Sequence, residues 1–329
     1  MPTTRPVSAQ SDWDEFLEES GGHFLQSTAW QEVLRALGNR VVCRRDREWT
    51  WAAVRRASFG FAYLYSPYGP TLAGSALAEA VGEAREVAGE EAADFLRLEP
   101  LGSVTPEQLR AVGARRSRSI QPRHTWVLDL DADEKSLRSG LSEGHRGSIN
   151  AASRRGLSFR KASSPEEATT FLSLLHRVAQ ARPDFKPHHD TYYRTCLEVL
   201  MPRGAASLYL AERQGEAVAG TIVYDFSSTR YYAHASADPV QGRKLSAAAP
   251  LVWHAILEAQ AAGMRHFDFW GVAPDDDPAH PWHGLSKFKK AFGGRLVERA
   301  GTWDIVLRPL RYGIYSLGRR VVRSSPASQ

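Results

Sequence analysis

The order of elements starts again after Ile120-Gln121-Pro122-Arg123, and this constrains the fold more than any single motif. Before that point, apolar periodicity predicts helices at 12–19 and 28–37, then strands at 40–45, 49–57 and 59–65. Ser66-Pro67-Tyr68-Gly69-Pro70 reads as a firm turn. A helix at 75–89, a strand at 94–99 and a helix opening at Thr105-Pro106 complete the half. The second half gives a strand at 124–130, helices at 134–142 and 145–155, a strand at 157–162, and helices at 165–181 and 190–200. Strands at 206–212, 217–226 and 229–236 follow, joined by short polar turns. A helix at 245–262 and a strand at 265–271 close the sequence of elements. Each half reads strand, helices, antiparallel strands, helix, strand. That order predicts two copies of one α+β domain, with helices covering a mixed sheet. The halves share no obvious identity, so the repeat is architectural.

A length of 329 residues agrees with two domains. No run of 18 apolar residues exists and the N-terminus lacks an apolar signal core, so the expected location is cytoplasmic, with no membrane span. Cys43 and Cys196 are far apart, which fits a reducing compartment and excludes a multi-thiolate metal site. The net charge of +5 permits an anionic partner without requiring one.

Residues 284–304 carry the most pointed chemistry. A short helix is expected from Leu285 to Phe292, stopped by Gly293-Gly294, with one strand running from about Arg295 to Leu307. Leu285, Phe288 and Phe292 fall on one helical face, Lys287 and Lys290 point away from it, and Lys289 sits at its margin. Upstream lie Asp268, Trp270 and Gly271 in an apolar strand, then an acidic loop from Pro274 to Pro281. Either Lys289 is anchored beside an aromatic to bind an anion, or the helix is a surface one with solvated lysines. Tyr232 and His234 alternate along a strand and are expected to share a face, lining a cleft or filling a core. His188-His189 lacks further ligands nearby and reads as a loop or helix cap rather than a metal site. His280 and His283 flank Trp282, for substrate contact or turn packing. Basic side chains gather on helix 145–155 (Arg146, Arg154, Arg155) and on the tail (Arg308, Arg311, Arg319, Arg320, Arg323). The tail also carries Leu310, Ile314, Leu317 and Val321, so it suits RNA phosphates, anionic lipid, or packing on the first domain.

Seven segments in order carry a family resemblance. They are Phe24-Leu25-Gln26-Ser27-Thr28-Ala29-Trp30, the turn Tyr65 to Pro70, and Leu96-Arg97-Leu98-Glu99-Pro100. Ile120 to Arg123 with Trp126-Val127-Leu128-Asp129-Leu130, and the helix Arg146 to Gly156, come next. Asp268-Phe269-Trp270-Gly271 and Phe288-Lys289 with Phe292-Gly293 complete the set. Through these the chain resembles the FemABX family of aminoacyl-tRNA-dependent aminoacyltransferases, which build peptidoglycan interpeptide bridges. It lacks a long heptad stretch after residue 165 and so is similar to the short, armless FemX type. The resemblance implies two tandem GNAT-like (N-acetyltransferase fold) domains of the α+β class, with mixed sheets. The first would comprise 1–123 plus 302–329, with the C-terminal helix returning to it, and the second 124–301.

The resemblance also implies the reaction: an amine attacks the ester that joins an amino acid to tRNA. An alkyl ammonium, with a pKa of about 10.4, must first lose a proton, and the tetrahedral intermediate carries an oxyanion. The ester is already activated, so no cofactor and no metal are expected. By position, Lys289 and Glu99 become the catalytic candidates, with a strand-end pairing of Glu99 to Arg97 as the plain alternative. Phe288, Tyr232, Arg97, Arg35, Tyr68 and Trp270 become the substrate-binding candidates, and Arg146, Arg154 and Arg155 the tRNA contacts. The implied partners are aminoacyl-tRNA and a lipid-linked or nucleotide-linked peptidoglycan precursor, met by a monomer at or near the inner membrane face. Two departures stand out. Armless members hold nucleotide phosphates with a lysine where this chain has Leu34 and Arg35, and with an arginine for which Arg230 is the nearest counterpart, two positions displaced. They put a uridine-diphosphate-linked acceptor in question. A small-molecule or peptide amine as acceptor, an acyl-CoA donor, and a non-catalytic tRNA- or lipid-binding module stay open. For the acyl-CoA donor, Gln241-Gly242-Arg243 supplies a single glycine.

Overall fold

The computed structural model describes residues 10–58, 60–102, 104–182 and 184–324. The N-terminal segment before residue 10 and the side chains of Arg319, Arg320, Val321 and Arg323 lie outside the described residues. The strands are β1 Val41–Arg45, β2 Trp49–Ser58, β3 Phe61–Ser66, β4 Thr71–Leu72, β5 Phe95–Leu98, β6 Ala114–Arg116 and β7 His124–Asp129. They continue as β8 Leu157–Lys161, β9 Ala206–Arg213, β10 Glu216–Phe226, β11 Thr229–Ala237, β12 His266–Gly271, β13 Arg295–Glu298 and β14 Trp303–Val306. The chain forms two units, one of residues up to Arg123 together with those from Arg299 onward, the other His124–Glu298.

The first unit's sheet runs β1-β2-β3-β5-β14-β6, with β4 beside β2, and the second unit's runs β13-β7-β12-β11-β10-β9-β8. In each sheet one pair is parallel, β3 with β5 and β11 with β12. Parallel neighbours need a crossover, which the helices Leu77–Glu90 and Ala248–Ala261 supply. Each unit therefore repeats an antiparallel meander followed by a helical crossover, and both are GNAT-like. In the first unit the crossover helix buries Leu77, Ala80, Val81, Ala84 and Val87 in a core with Trp51, Leu64, Leu96 and Trp303. In the second, Leu251, Val252, Trp253 and Ile256 share a core with Val223, Tyr232, Phe267 and Phe269. The helices Ala168–Ala181 and Asp190–Leu200 pack against β9 and β10, burying Phe171, Leu174, Tyr193 and Cys196.

Three expectations change. The strand expected across 295–307 is two strands in two sheets: β13 pairs with β7, while β14 lies between β5 and β6. Gly301, at a φ of 78°, permits the bend between them. The three-residue β6 had no strand expectation, because so short a piece shows no periodicity. Finally, Tyr232 and His234 occupy opposite faces. Val223 pairs with Tyr232 and Ile222 with His234, so Ala233 is an extra residue that reverses the alternation. Tyr232 joins the core with Phe267 and Phe269, whereas His234 sits among Tyr192, Tyr193, Tyr224 and His188.

Gly294, at a φ of 100°, makes the turn into β13, and a Cβ there would overlap the Val127 carbonyl oxygen. Neither backbone can give way without breaking the β13–β7 pairing. Gly294→Ala is expected to destabilise the fold by about 2 kcal/mol or more, measured by chemical denaturation.

The C-terminal helix Pro309–Ser324 packs on the first unit. The Tyr315 ring meets Phe61, Tyr63 and Phe95, and the Arg311 guanidinium donates to the buried Asp94 carboxylate at 2.6 Å. Among the described residues no helix is long and apolar enough to cross a membrane.

Candidate active site

Pairing between β11 and β12 covers Thr229–Tyr231 against His266–Asp268 and then ends, while β11 continues to Ala237. Past Asp268, β12 is irregular, and Trp270 adopts a φ of 65°, a costly conformation for a large side chain. Asp268 supports this kink, its Oδ1 accepting from the Trp270 amide at 2.7 Å. On this side the strand end thus presents backbone that β11 does not pair, while Gly271 still pairs with Thr125 of β7 on the other.

The helix His283–Lys290 closes over that end with its polar side. Ser286 Oγ accepts from the Ala273 amide at 2.7 Å, and Lys289 Nζ donates to the Gly271 carbonyl at 2.7 Å. Ser286 and Lys289 are the helix's buried residues, Lys289 being only 5% exposed. Leu285, which shares the apolar face of Phe288 and Phe292 by spacing, is 47% exposed, because docking by hydrogen bonds turns Ser286 and Lys289 inward instead. Phe292 is fully buried against Phe269, and Phe288 packs partly buried against Phe292 and the His145 ring. The three lysines separate sharply. Lys287 is exposed, and Lys290 bridges to Asp276 at 2.6 Å and lies over the Trp126 ring. Lys289 alone is sequestered, and burial lowers its pKa from 10.5 to about 8 against the opposing pull of Asp268.

Beside this helix a cleft of about 190 Å³ is lined by Phe288, Tyr232, Thr221, Ser236, Leu251 and Val252, among others. It is almost wholly apolar. Ser236 Oγ is buried there with no hydrogen-bond partner among the described residues. Burial pushes the Tyr232 hydroxyl well above its usual range, so it stays a neutral donor. Phe288, Lys289, Tyr232 and Trp270 therefore all belong to the second unit around the β11–β12 opening.

The remaining candidates lie in other settings. Glu99, in the first unit, is a saturated acceptor: Oε1 takes the Ile120 and Gln121 amides at 3.2 and 3.0 Å and the Thr302 hydroxyl, and Oε2 takes the Tyr65 hydroxyl at 2.6 Å. Arg97 does not pair with it. Arg97 forms a two-pronged bond to Asp304, both contacts at 2.7 Å, beside the stacked Phe95 and Tyr63 rings. Tyr68 is buried, its hydroxyl donating to the Pro122 carbonyl at 3.3 Å under the Arg299 guanidinium. Arg35 is exposed and touches Gln31 and Cys43. Arg230, the displaced counterpart for phosphate, is buried and bonded to Asp225, Tyr209 and the Ala255 carbonyl, so its charge is committed inside the core. Arg146 donates to the Ser139 and Leu141 carbonyls and Arg155 to the Leu245 carbonyl, while Arg154 is exposed. His189 caps helix Asp190–Leu200 through Nδ1 and the Thr191 amide, as the cap reading expected.

Ser286, His145 and Ser236 escaped sequence reasoning. Ser286 carried a usable signal, being three residues before Lys289 and so on its face. His145 is joined to Phe288 only by the fold, its Nε2 lying 3.1 Å from the Phe288 carbonyl oxygen.

Residues 142–289, which include most of the second unit and end on Lys289, match the acetyltransferase (GNAT) domain family. The protein named lipid II:glycine glycyltransferase of Staphylococcus aureus (strain MRSA252) is 21% identical over 389 aligned positions, covering 91% of this chain and 92% of that one. Its namesake in Staphylococcus saprophyticus is 24% identical, covering 89% and 90%. The crystal structure of FemX superposes with a TM-score of 0.82 at 17% identity, over 94% of this chain and 98% of that one.

Proposed function

We propose that the chain belongs to the FemABX family and, from that premise, that it moves an amino acid from aminoacyl-tRNA onto an amine of a lipid-linked peptidoglycan precursor, forming an amide. The observation that carries the proposal is the buried Lys289, held at the end of β12 by the Gly271 carbonyl, on the helix whose Phe288 lines the apolar cleft. The acceptor amine, once neutral, attacks the ester carbonyl carbon. The C–N bond forms, the ester C–O bond breaks, and the ribose oxygen leaves. The proton lost by the amine balances the one gained by that oxygen. The Lys289 ammonium faces the oxyanion, where a low-dielectric setting strengthens its pull. With a pKa of about 8 it holds its charge at neutral pH yet releases a proton readily to the leaving oxygen. The cleft receives the side chain of the transferred amino acid, and Ser236 Oγ is the polar group waiting in it.

Glu99 acts in this reading as a positioning residue, since its four accepted hydrogen bonds fix the Ile120–Gln121 segment and Thr302. Arg154 is the strongest of the three tRNA candidates, because the other two already serve backbone carbonyls. A lipid-linked acceptor is preferred to a nucleotide-linked one for two reasons. The relatives' name specifies lipid II, and the two positions where armless members hold a nucleotide are here Leu34 with Arg35 and an Arg230 turned inward onto Asp225. The enzyme then works at the cytoplasmic face of the membrane.

The test is incubation of the full chain with mixed aminoacyl-tRNAs and either lipid-linked or uridine-diphosphate-linked precursor, followed by mass spectrometry. The expected product is the lipid-linked precursor heavier by one or more amino-acid residues, absent after ribonuclease treatment of the donor. A product formed after that treatment, or only with acyl-CoA, overturns the proposal.

A further inference from the structure

The C-terminal helix has two apolar faces. Its inner face is used: Tyr312 donates to Asp304 at 2.9 Å, and the Tyr315 ring is buried among Phe61, Tyr63 and Phe95. Its outer face carries Leu310, Ile314 and Leu317 at i, i+4 and i+7, a single stripe by helical spacing. These side chains are 87%, 62% and 61% exposed. Scattered exposed leucines need no explanation, but three aliphatic side chains aligned on one helix, outward from a helix already anchored on its other side, do.

We infer that this outer stripe docks the enzyme on an anionic lipid surface. Three aliphatic side chains offer far less than the roughly 800 Å² per partner of a stable protein interface, so a second copy of the chain is a poor occupant. An RNA backbone has no use for an aliphatic stripe. The surrounding charge suits lipid phosphates. Arg308 and Arg311 both lean on Asp94, at 3.7 and 2.6 Å, and two guanidiniums on one carboxylate leave a positive charge in excess. Both arginines are about half exposed, and no acidic residue occupies the helix's first turn. Shallow insertion of aliphatic side chains with flanking positive charge is how interfacial helices bind. The choice of a lipid surface rests in part on the lipid-linked acceptor proposed above; its measurement does not.

The full chain is mixed with vesicles of phosphatidylcholine alone, or with phosphatidylglycerol added, and bound protein is read by flotation. Binding is expected to the anionic vesicles and to weaken with salt. The triple variant Leu310→Ser, Ile314→Ser, Leu317→Ser is expected to need at least ten times more lipid for half-binding, with its unfolding transition unchanged. Transfer to the lipid-linked precursor dissolved in detergent, assayed in parallel without vesicles, is expected to persist in the variant, so loss of docking and failure of the proposed chemistry are read separately. As a second arm, Leu310→Trp is expected to be quenched by brominated lipid beyond the quenching of the wild-type tryptophans. Wild-type binding by the triple variant, equal binding to vesicles without anionic lipid, or a triple variant that merely turns a dimer into a monomer overturns the inference.

Discussion

Replacing Lys289 by methionine is expected to lower transfer by about 10²–10³-fold, the usual effect of removing one oxyanion donor, while leaving the protein at least as stable. The two effects have one cause. Lys289 holds a charge in a buried place, and the gap between its ordinary value of 10.5 and about 8 amounts to on the order of 3 kcal/mol spent against folding. Its folded pKa is depressed, so the unfolded chain binds more protons between pH 8 and 10.5. This penalty is therefore fully present below about pH 8 and fades as the pH rises toward 10.5. Methionine removes it, less what Asp268 loses with its neighbouring cation. The stability difference between variant and wild type should be largest near neutrality and shrink in alkali, in denaturation series at several pH values. Turnover supplies the independent check. If the ammonium form acts on the oxyanion, wild-type transfer falls as the pH climbs through about 8. Full activity in Lys289→Met, or a rate that keeps rising past pH 9, would remove Lys289 from the chemistry.

Asp304→Ala is expected to cost about 3–5 kcal/mol, the largest stability loss anticipated here. Arg97 and Asp304 stand directly opposite each other on β5 and β14, both buried, joined by two hydrogen bonds of 2.7 Å. Burial works against the Arg97 charge, but Asp304 more than offsets it and holds the guanidinium protonated well above its ordinary range. Removing the carboxylate strands that charge beside two stacked aromatic rings and takes the Asp304 acceptor from the Tyr312 hydroxyl. The pair need not be net stabilising for its breakage to be severe. The double variant Arg97→Met, Asp304→Leu should regain most of the loss in urea denaturation. A single variant within 1 kcal/mol of wild type would show that the pair matters little.

Much of this was legible because the signals are local. Gly293-Gly294 ends a helix wherever it is placed, and the repeated order of strands and helices follows from periodicities of 2 and 3.6. The family-like order of motifs singled out Lys289 as a candidate; in the structure Lys287 and Lys290 remain in solvent or ion-paired, and Lys289 is the one of the three that caps a kinked strand end. What stayed hidden was non-local. Parity along β11 is broken by one residue, Ala233, which no alternation rule reveals, and so the faces of Tyr232 and His234 were misassigned. Arg230 looked like a displaced phosphate ligand until Asp225 and Tyr209 closed around it from neighbouring strands. The strand-like stretch from 295 to 307, broken only by Gly301, gives no hint that its two ends serve different sheets.

That division has a consequence for how the protein is made. β14 lies inside the first unit's sheet, between β5 and β6, yet it is among the last strands to leave the ribosome. The second unit is contiguous in the chain and can close as soon as Glu298 has emerged. At about 5–20 residues per second, the nascent first unit waits on the order of ten to forty seconds with β5 and β6 each showing an unpaired edge. Vectorial synthesis thus reverses the order in the sequence: the half translated first is the half completed last.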